Sequence, residues 1–263
     1  MLKNFLISLI ITSFIVGCVT SPMGRSQLAF MPASQLDTMG IEAFNSLKKD
    51  TPINTNPSTN QYVTCITQSI LQTFENKGQN WEVVVFRDDA ANAFALPGGK
   101  VGVYDGLLDV AKNQDQLATV IGHEIAHVIS QHGNERVSQQ FALEQGLTLI
   151  QAIAKPTTQK GQLLMGLLGL GAQVGILLPY SRIQESEADA LGLQLMARAG
   201  FNPQQSVALW QNMSQAGDGG QPLEFLSTHP SHGRRIQNLN KMMGSALQLQ
   251  QQVSAGGKNP RCQ

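Results

Sequence analysis

The chain has 263 residues, 18 Lys and Arg against 18 Asp and Glu, 14% charged and 42% apolar residues, five His and three Cys. A zero net charge provides no basic face for a nucleic-acid backbone, so nucleic acid is not an expected partner. The length suits one large domain with appendages, three Cys are too few for a disulfide framework, and all five His fall between His123 and His232.

Residues 1–17 read as a secretory signal peptide: Lys3, an apolar run from Phe5 to Val16, then Gly17-Cys18. The run is too short for a membrane span. Ile15-Val16-Gly17-Cys18 resembles the bacterial lipoprotein processing site, which implies lipidation of Cys18, and Val19 after it implies the outer membrane. The expectation is a bacterial periplasmic protein held to the membrane by a lipid anchor at Cys18. Cys65 and Cys262 then share an oxidising compartment, either bridged, tail to early helix, or as separate thiols.

Residues 18–35 read as a tether and 36–247 as the folded domain. Apolar spacing predicts helices over Leu36 to Leu47 and Asn60 to Phe74, with a Pro/Asn/Thr-rich break between. A β-branched strand follows at Trp81 to Phe86, then strands Asn92 to Leu96 and Val101 to Tyr104 joined by Pro97-Gly98-Gly99-Lys100. Asn113 caps a helix over Gln114 to His132, followed by a second over Glu135 to Ala154. The uncharged, Gly-rich stretch 162–178 falls short of a span and reads as a core or groove-covering helix, with membrane contact as the alternative. Helices are predicted from Ser181 to Ala199, from Asn202-Pro203 to Met213 and from Arg234 to Leu247. A loop at 218–220, a short turn or helix at 222–227 and a frayed polar tail at 248–263 complete the reading.

His123-Glu124-Ile125-Ala126-His127 is H-E-x-x-H within a predicted helix. Positions i and i+4 share a face, so both imidazoles reach one metal ion with Glu124 beside it. Zinc is the expected metal, one per chain, because it accepts two imidazoles and a carboxylate and keeps a place for water. Glu124 would take that water's proton as it attacks a peptide carbonyl and return it to the leaving amine. The long metzincin pattern needs a Gly at position 130 and a His at position 133, where this chain has Ser130 and Gly133. A third ligand must come from elsewhere, and Ser181 to Gly192 offers Glu185, Glu187 and Asp189, of which Glu185 and Asp189 share a helical face.

H-E-x-x-H followed by S-R-x-x-E-x-E-A-D-x-x-G resembles the metallopeptidase family that contains the CAAX prenyl protease, HtpX and the mitochondrial Oma-type proteases. Asn92 to Gly99, Gly106 to Leu108, Ser227 to Ser231 and Arg235-Ile236 also match its motifs, and the soluble periplasmic branch linked to outer-membrane assembly is most similar. The resemblance implies an α+β, zincin-like (gluzincin) fold, mainly helical with a small β-sheet. It implies Glu185 as third ligand, Asp189 as the acceptor that orients a ligating His, and a substrate-pairing strand at Asn92, Ala93, Phe94 and Ala95. His229 would plug the metal's open place or stabilise the oxyanion, and Arg235 would bind the oxyanion or a substrate carbonyl. Glu187, His132 and His232 are expected to be bystanders, Glu187 as a solvated charge.

The function expected is a zinc endopeptidase that cleaves misfolded or unassembled envelope proteins, with outer-membrane assembly machinery as a further partner. The alternative is a chaperone lipoprotein that binds unfolded outer-membrane proteins with a latent protease fold. The presence of Glu124 favours the enzyme.

Overall fold

The computed structural model describes residues 18–75, 79–154, 180–217, 224–229 and 234–262. The signal segment 1–17, the apolar stretch 162–178, the loop at 218–220 and His232 lie outside the described residues. The chain divides into two compact units, Met1–Ala33 with Gln131–Leu178 and Ser34–Ser130 with Pro179–Gln263. The architecture is α+β and mostly helical, and no helix among the described residues is long and apolar enough to cross a membrane.

In the first unit, β1 (Cys18–Thr20) pairs antiparallel with β2 (Ser26–Leu28). The stretch expected as a tether is therefore a hairpin. Gly24 turns it with φ of 85°, and Ser21 Oγ accepts the Arg25 N–H at 3.1 Å. The Arg25 guanidinium donates twice at 2.7 Å to Glu135 on α5 (His132–Ala154), and Phe30 N–H donates to Ser138 Oγ at 3.0 Å. These partners lie more than a hundred residues away, so local periodicity could not announce the hairpin.

The second unit holds a three-stranded sheet in the order β3-β5-β4. β3 (Glu82–Phe86) runs parallel to β5 (Lys100–Tyr104), and β4 (Ala93–Leu96) antiparallel to it, with Ala95 opposite Val101. β4 is thus an edge strand among the described residues. Phe44 of α1 (Ala33–Asp50) packs with Phe86, Phe94 and Tyr104 on one face of the sheet. On the other, Val85, Val101 and Val103 join a core with Ile66 and Ile70 of α2 (Pro57–Leu71) and with Leu117, Ile121 and Ile125 of α4 (Gln114–Ile129). Between β5 and α4 lies a single turn, α3 (Leu107–Val110), that periodicity did not suggest.

Helix α4 lies against β4, α2, α6 (Arg182–Ala199) and α7 (Gln205–Gly217), and every residue from Gln116 to His127 is buried. Its start is set by Asn113, whose side chain accepts the Gln116 N–H at 2.9 Å. Ser181 and Gln184 form a capping box that opens α6, and Gly200 closes it with φ of 94°. The short α8 (Glu224–Thr228) and the long α9 (Arg235–Ala255) complete the unit.

The residues expected as a frayed tail are anchored. A disulfide joins Cys65 to Cys262 with Cα atoms 5.6 Å apart. Cys262 N–H donates to Gln114 Oε1 and Gln114 Nε2 to Pro260 O, both at 2.9 Å. The tail is thereby tied to α2 and to the first turn of α4.

Candidate metal centre

The centre is built where α4 and α6 cross with their backbones in close approach. A Cβ on Gly192 would stand 2.9 Å from His123 N and 3.0 Å from Gly122 C, so glycine at that crossing lets backbone meet backbone. That approach brings Glu185, two turns before Gly192, to the two histidines of α4.

His123 and His127 face one another with Nε2 atoms 3.1 Å apart, and Glu185 Oε1 lies 3.4 Å from His127 Nε2. His229, in the segment after α8, places Nδ1 3.0 Å from Glu185 Oε1 and 3.3 Å from His123 Nε2. All four side chains are buried, and their donor atoms lie within 4.8 Å of one another. Three imidazole nitrogens and a carboxylate oxygen converging in a buried place form a group able to hold a metal ion. Its nitrogen and oxygen donors suit zinc.

The side chains of the group shift one another's titration in opposite directions. Burial opposes charge on His123, but Glu185 and Asp189 outweigh it and carry its pKa up to about 10. Burial pushes His127 well below its ordinary value, against the pull of Glu185, which favours the neutral imidazole that a metal needs. Burial would raise the Glu185 carboxyl, but His123, His127 and His229 hold it far below the carboxylate range. Asp189 Oδ1 stands 2.9 Å from His123 Nδ1, an arrangement that directs Nε2 to the donor group.

Glu124 is buried beside the group, with Oε1 3.4 Å from His229 Nε2. Burial raises its pKa, and a hydrogen bond from the Ala95 backbone N–H lowers it in part. That bond also fixes a direction: the outer edge of β4 runs past Glu124. Of the residues expected on the substrate strand, Ala93 and Ala95 are buried and Phe94 packs into the aromatic cluster around Phe44. Asn92 precedes the strand and donates from Nδ2 to Glu224 Oε1 at 2.9 Å, tying β4 to the segment that carries His229.

The surroundings of two further residues add to the expectation. Arg235, expected at an oxyanion or a substrate carbonyl, donates from Nε to Asp189 Oδ2 at 2.6 Å and from Nη2 to Glu185 Oε2. Two of its nitrogens are thus committed to carboxylates, and Nη1 is buried with no hydrogen-bond partner among the described residues. Glu187, expected as a solvated charge, is only 7% exposed, because α6 is enclosed on most sides. It lies outside the donor group. His132 is fully buried and also outside the group, and Cys18 is exposed at the start of β1.

Sequence reasoning missed three aromatic residues. Tyr180 stacks on the His127 ring at 3.9 Å between centroids, and its N–H donates to Thr228 O at 3.2 Å. Phe225 stacks on His229 at 4.5 Å, and Trp210 lies under the Arg235 guanidinium at 3.9 Å. Only Tyr180 had a local signal, since it directly precedes the Ser181 cap.

Residues 57–243 match peptidase family M48. A mitochondrial metalloendopeptidase OMA1 of Schizosaccharomyces pombe is 38% identical over 189 residues, 72% of this chain and 54% of its own length. The human mitochondrial metalloendopeptidase OMA1 is 35% identical over 179 residues, 65% of this chain and 34% of its own. The beta-barrel assembly-enhancing protease of Escherichia coli is 27% identical over 251 residues, 89% of this chain and 51% of its own. The chain thus spans from about a third to about half the length of the curated relatives it matches. The expected bacterial periplasmic, lipid-anchored location is corrected by these matches, because relatives at 35–38% identity from fungi, a plant and animals are mitochondrial enzymes. With the H-E-x-x-H helix, a distant Glu in the same buried donor group and a match over most of its length, the chain belongs to peptidase family M48, the metallopeptidases.

Proposed function

We propose that the chain is a zinc-dependent endopeptidase that cleaves misfolded or unassembled proteins presented in extended form. The observation that carries this reading is Glu124, buried within 3.4 Å of His229 Nε2 at the edge of a His/His/Glu/His group. His123, His127 and Glu185 would hold the zinc. When bound, zinc supplies the Lewis acidity that acidifies a water and polarises a peptide carbonyl.

The Glu124 carboxylate, steadied by the Ala95 N–H, accepts a proton from the attacking water and returns it to the leaving amine. The outer edge of β4 accepts the backbone of an extended substrate, which binds many sequences through main-chain hydrogen bonds and sets a peptide bond beside Glu124. In this reading His229, which lies in the same donor group, would take a fourth donor place and hold the enzyme latent until the His229 segment moves away. A binding module without proteolysis has no use for a buried carboxylate at that point. Glu124→Gln tests the reading: zinc is kept and cleavage of an unfolded protein is lost.

A further inference from the structure

We propose that Arg235 is a positioning residue of the metal centre, whose guanidinium grips Glu185 and Asp189 together and holds both where an ion is received. The proposal rests on the zinc-peptidase reading above. Glu185 and Asp189 stand one turn apart on α6, and like charges at that spacing repel unless a cation sits between them. Arg235 supplies it as a fork: Nε donates to Asp189 Oδ2 at 2.6 Å and Nη2 to Glu185 Oε2.

Each carboxylate then has one oxygen left for the centre. Asp189 Oδ1 is 2.9 Å from His123 Nδ1, and Glu185 Oε1 is 3.4 Å from His127 Nε2. One guanidinium therefore sets the aim of a ligating carboxylate and, through Asp189, of a ligating imidazole. Its own place is fixed from two sides. The Trp210 ring lies 3.9 Å from the guanidinium carbon, and Arg235 is the first residue of α9, whose backbone is held by packing against α6. The side chain is 4% exposed, so it sits behind the donor group and not in a solvent-open substrate groove. Lys cannot replace it, because a single ammonium neither spans the two carboxylates as a fork nor stacks flat on Trp210.

The test uses the full chain as wild type, Arg235→Lys and Arg235→Gln, stripped of metal and titrated with zinc against a chromophoric chelator. Both variants are expected to bind zinc about 10- to 100-fold more weakly. Excess zinc is expected to restore most of the kcat/KM of Arg235→Lys. Unchanged zinc affinity with a reduced kcat overturns the proposal and makes Arg235 a substrate contact. Absence of zinc binding in the wild type overturns the zinc-peptidase reading as well, and that outcome is distinct. Should the Arg235 variants fail to fold, Trp210→Leu removes the supporting face and leaves every donor residue unchanged, and Trp210→Phe, which keeps an aromatic edge toward His123, separates loss of the guanidinium's support from loss of the His123 contact. About tenfold weaker zinc binding is then expected, and unchanged affinity overturns the proposal.

Discussion

Gly192 of α6 lies directly against His123 of α4: a methyl group there would meet the His123 backbone nitrogen at 2.9 Å. The contact joins the helix that supplies two histidines to the helix that supplies Glu185, so the centre depends on a side chain that is absent. Gly192→Ala is expected to force the helices apart and cost about 1–3 kcal/mol, outweighing the gain of about 0.5–1 kcal/mol in helix propensity. Zinc affinity should fall with it. Gly133→Ala is the control, because a Cβ there meets nothing within 4 Å, and its melting temperature should hold or rise.

His229 sits in the donor group and is stacked on Phe225, while Asn92 ties that segment to β4 through Glu224. His229→Ala should keep zinc and raise cleavage of an unfolded protein such as casein. A loss of cleavage with zinc retained would assign His229 to oxyanion stabilisation instead. Asn92→Ala, which cuts the tie to Glu224, should move activity the same way by a smaller factor.

The disulfide between Cys65 and Cys262 closes a loop with a sequence separation of 197 residues and anchors the tail against Gln114. Chain entropy puts its contribution at about 5 kcal/mol. Cys262→Ser should therefore lower the melting temperature of oxidised protein and leave the reduced protein little changed. Equal melting temperatures under oxidising conditions would contradict the bond's role.

Glu82 lies between Lys48 at 2.6 Å and Lys100 at 3.1 Å. The Lys48 hydrogen bond, with Lys100 beside it, holds its carboxyl below the ordinary 4.5 despite partial burial. A carboxylate favoured by folding stabilises above its unfolded pKa and loses that contribution as pH falls through the folded one. With Glu82 over a third exposed, screening limits the effect to about 0.5 kcal/mol. Glu82→Gln should be less stable than wild type at pH 7 by that amount, and the difference should shrink as pH falls below 4.5 and vanish only below the lowered folded pKa. A difference that persists in acid would point to packing instead of charge.

The helix carrying His123 and His127 was legible because Asn113 caps it and its apolar positions recur at helical spacing, and the run to Ile129 matches the reading closely. The helix over Ser181 to Ala199 was legible up to its closing Gly200, and with it the placement of Glu185 and Asp189 on one face, whereas the capping box at Ser181 emerged only in the structure. What local pattern could not carry was partnership across the chain. The 18–28 hairpin is held by Glu135 and Ser138, Arg235 is held by Trp210 and two carboxylates, and the tail is fixed by Cys65. α6 has polar residues at buried positions, including Glu185 and Glu187, so hydrophobic spacing understated its burial. Gly192 stood in the motif that named the family, yet its meaning is a helix crossing, which appears only when α4 lies beside it.

The most direct test of the central claim is cleavage of an unfolded protein by wild type and Glu124→Gln at matched zinc content. One zinc per chain in both, with cleavage reduced about 100-fold or more in the variant, is the predicted result. Undiminished cleavage by the zinc-loaded Glu124→Gln protein would contradict it.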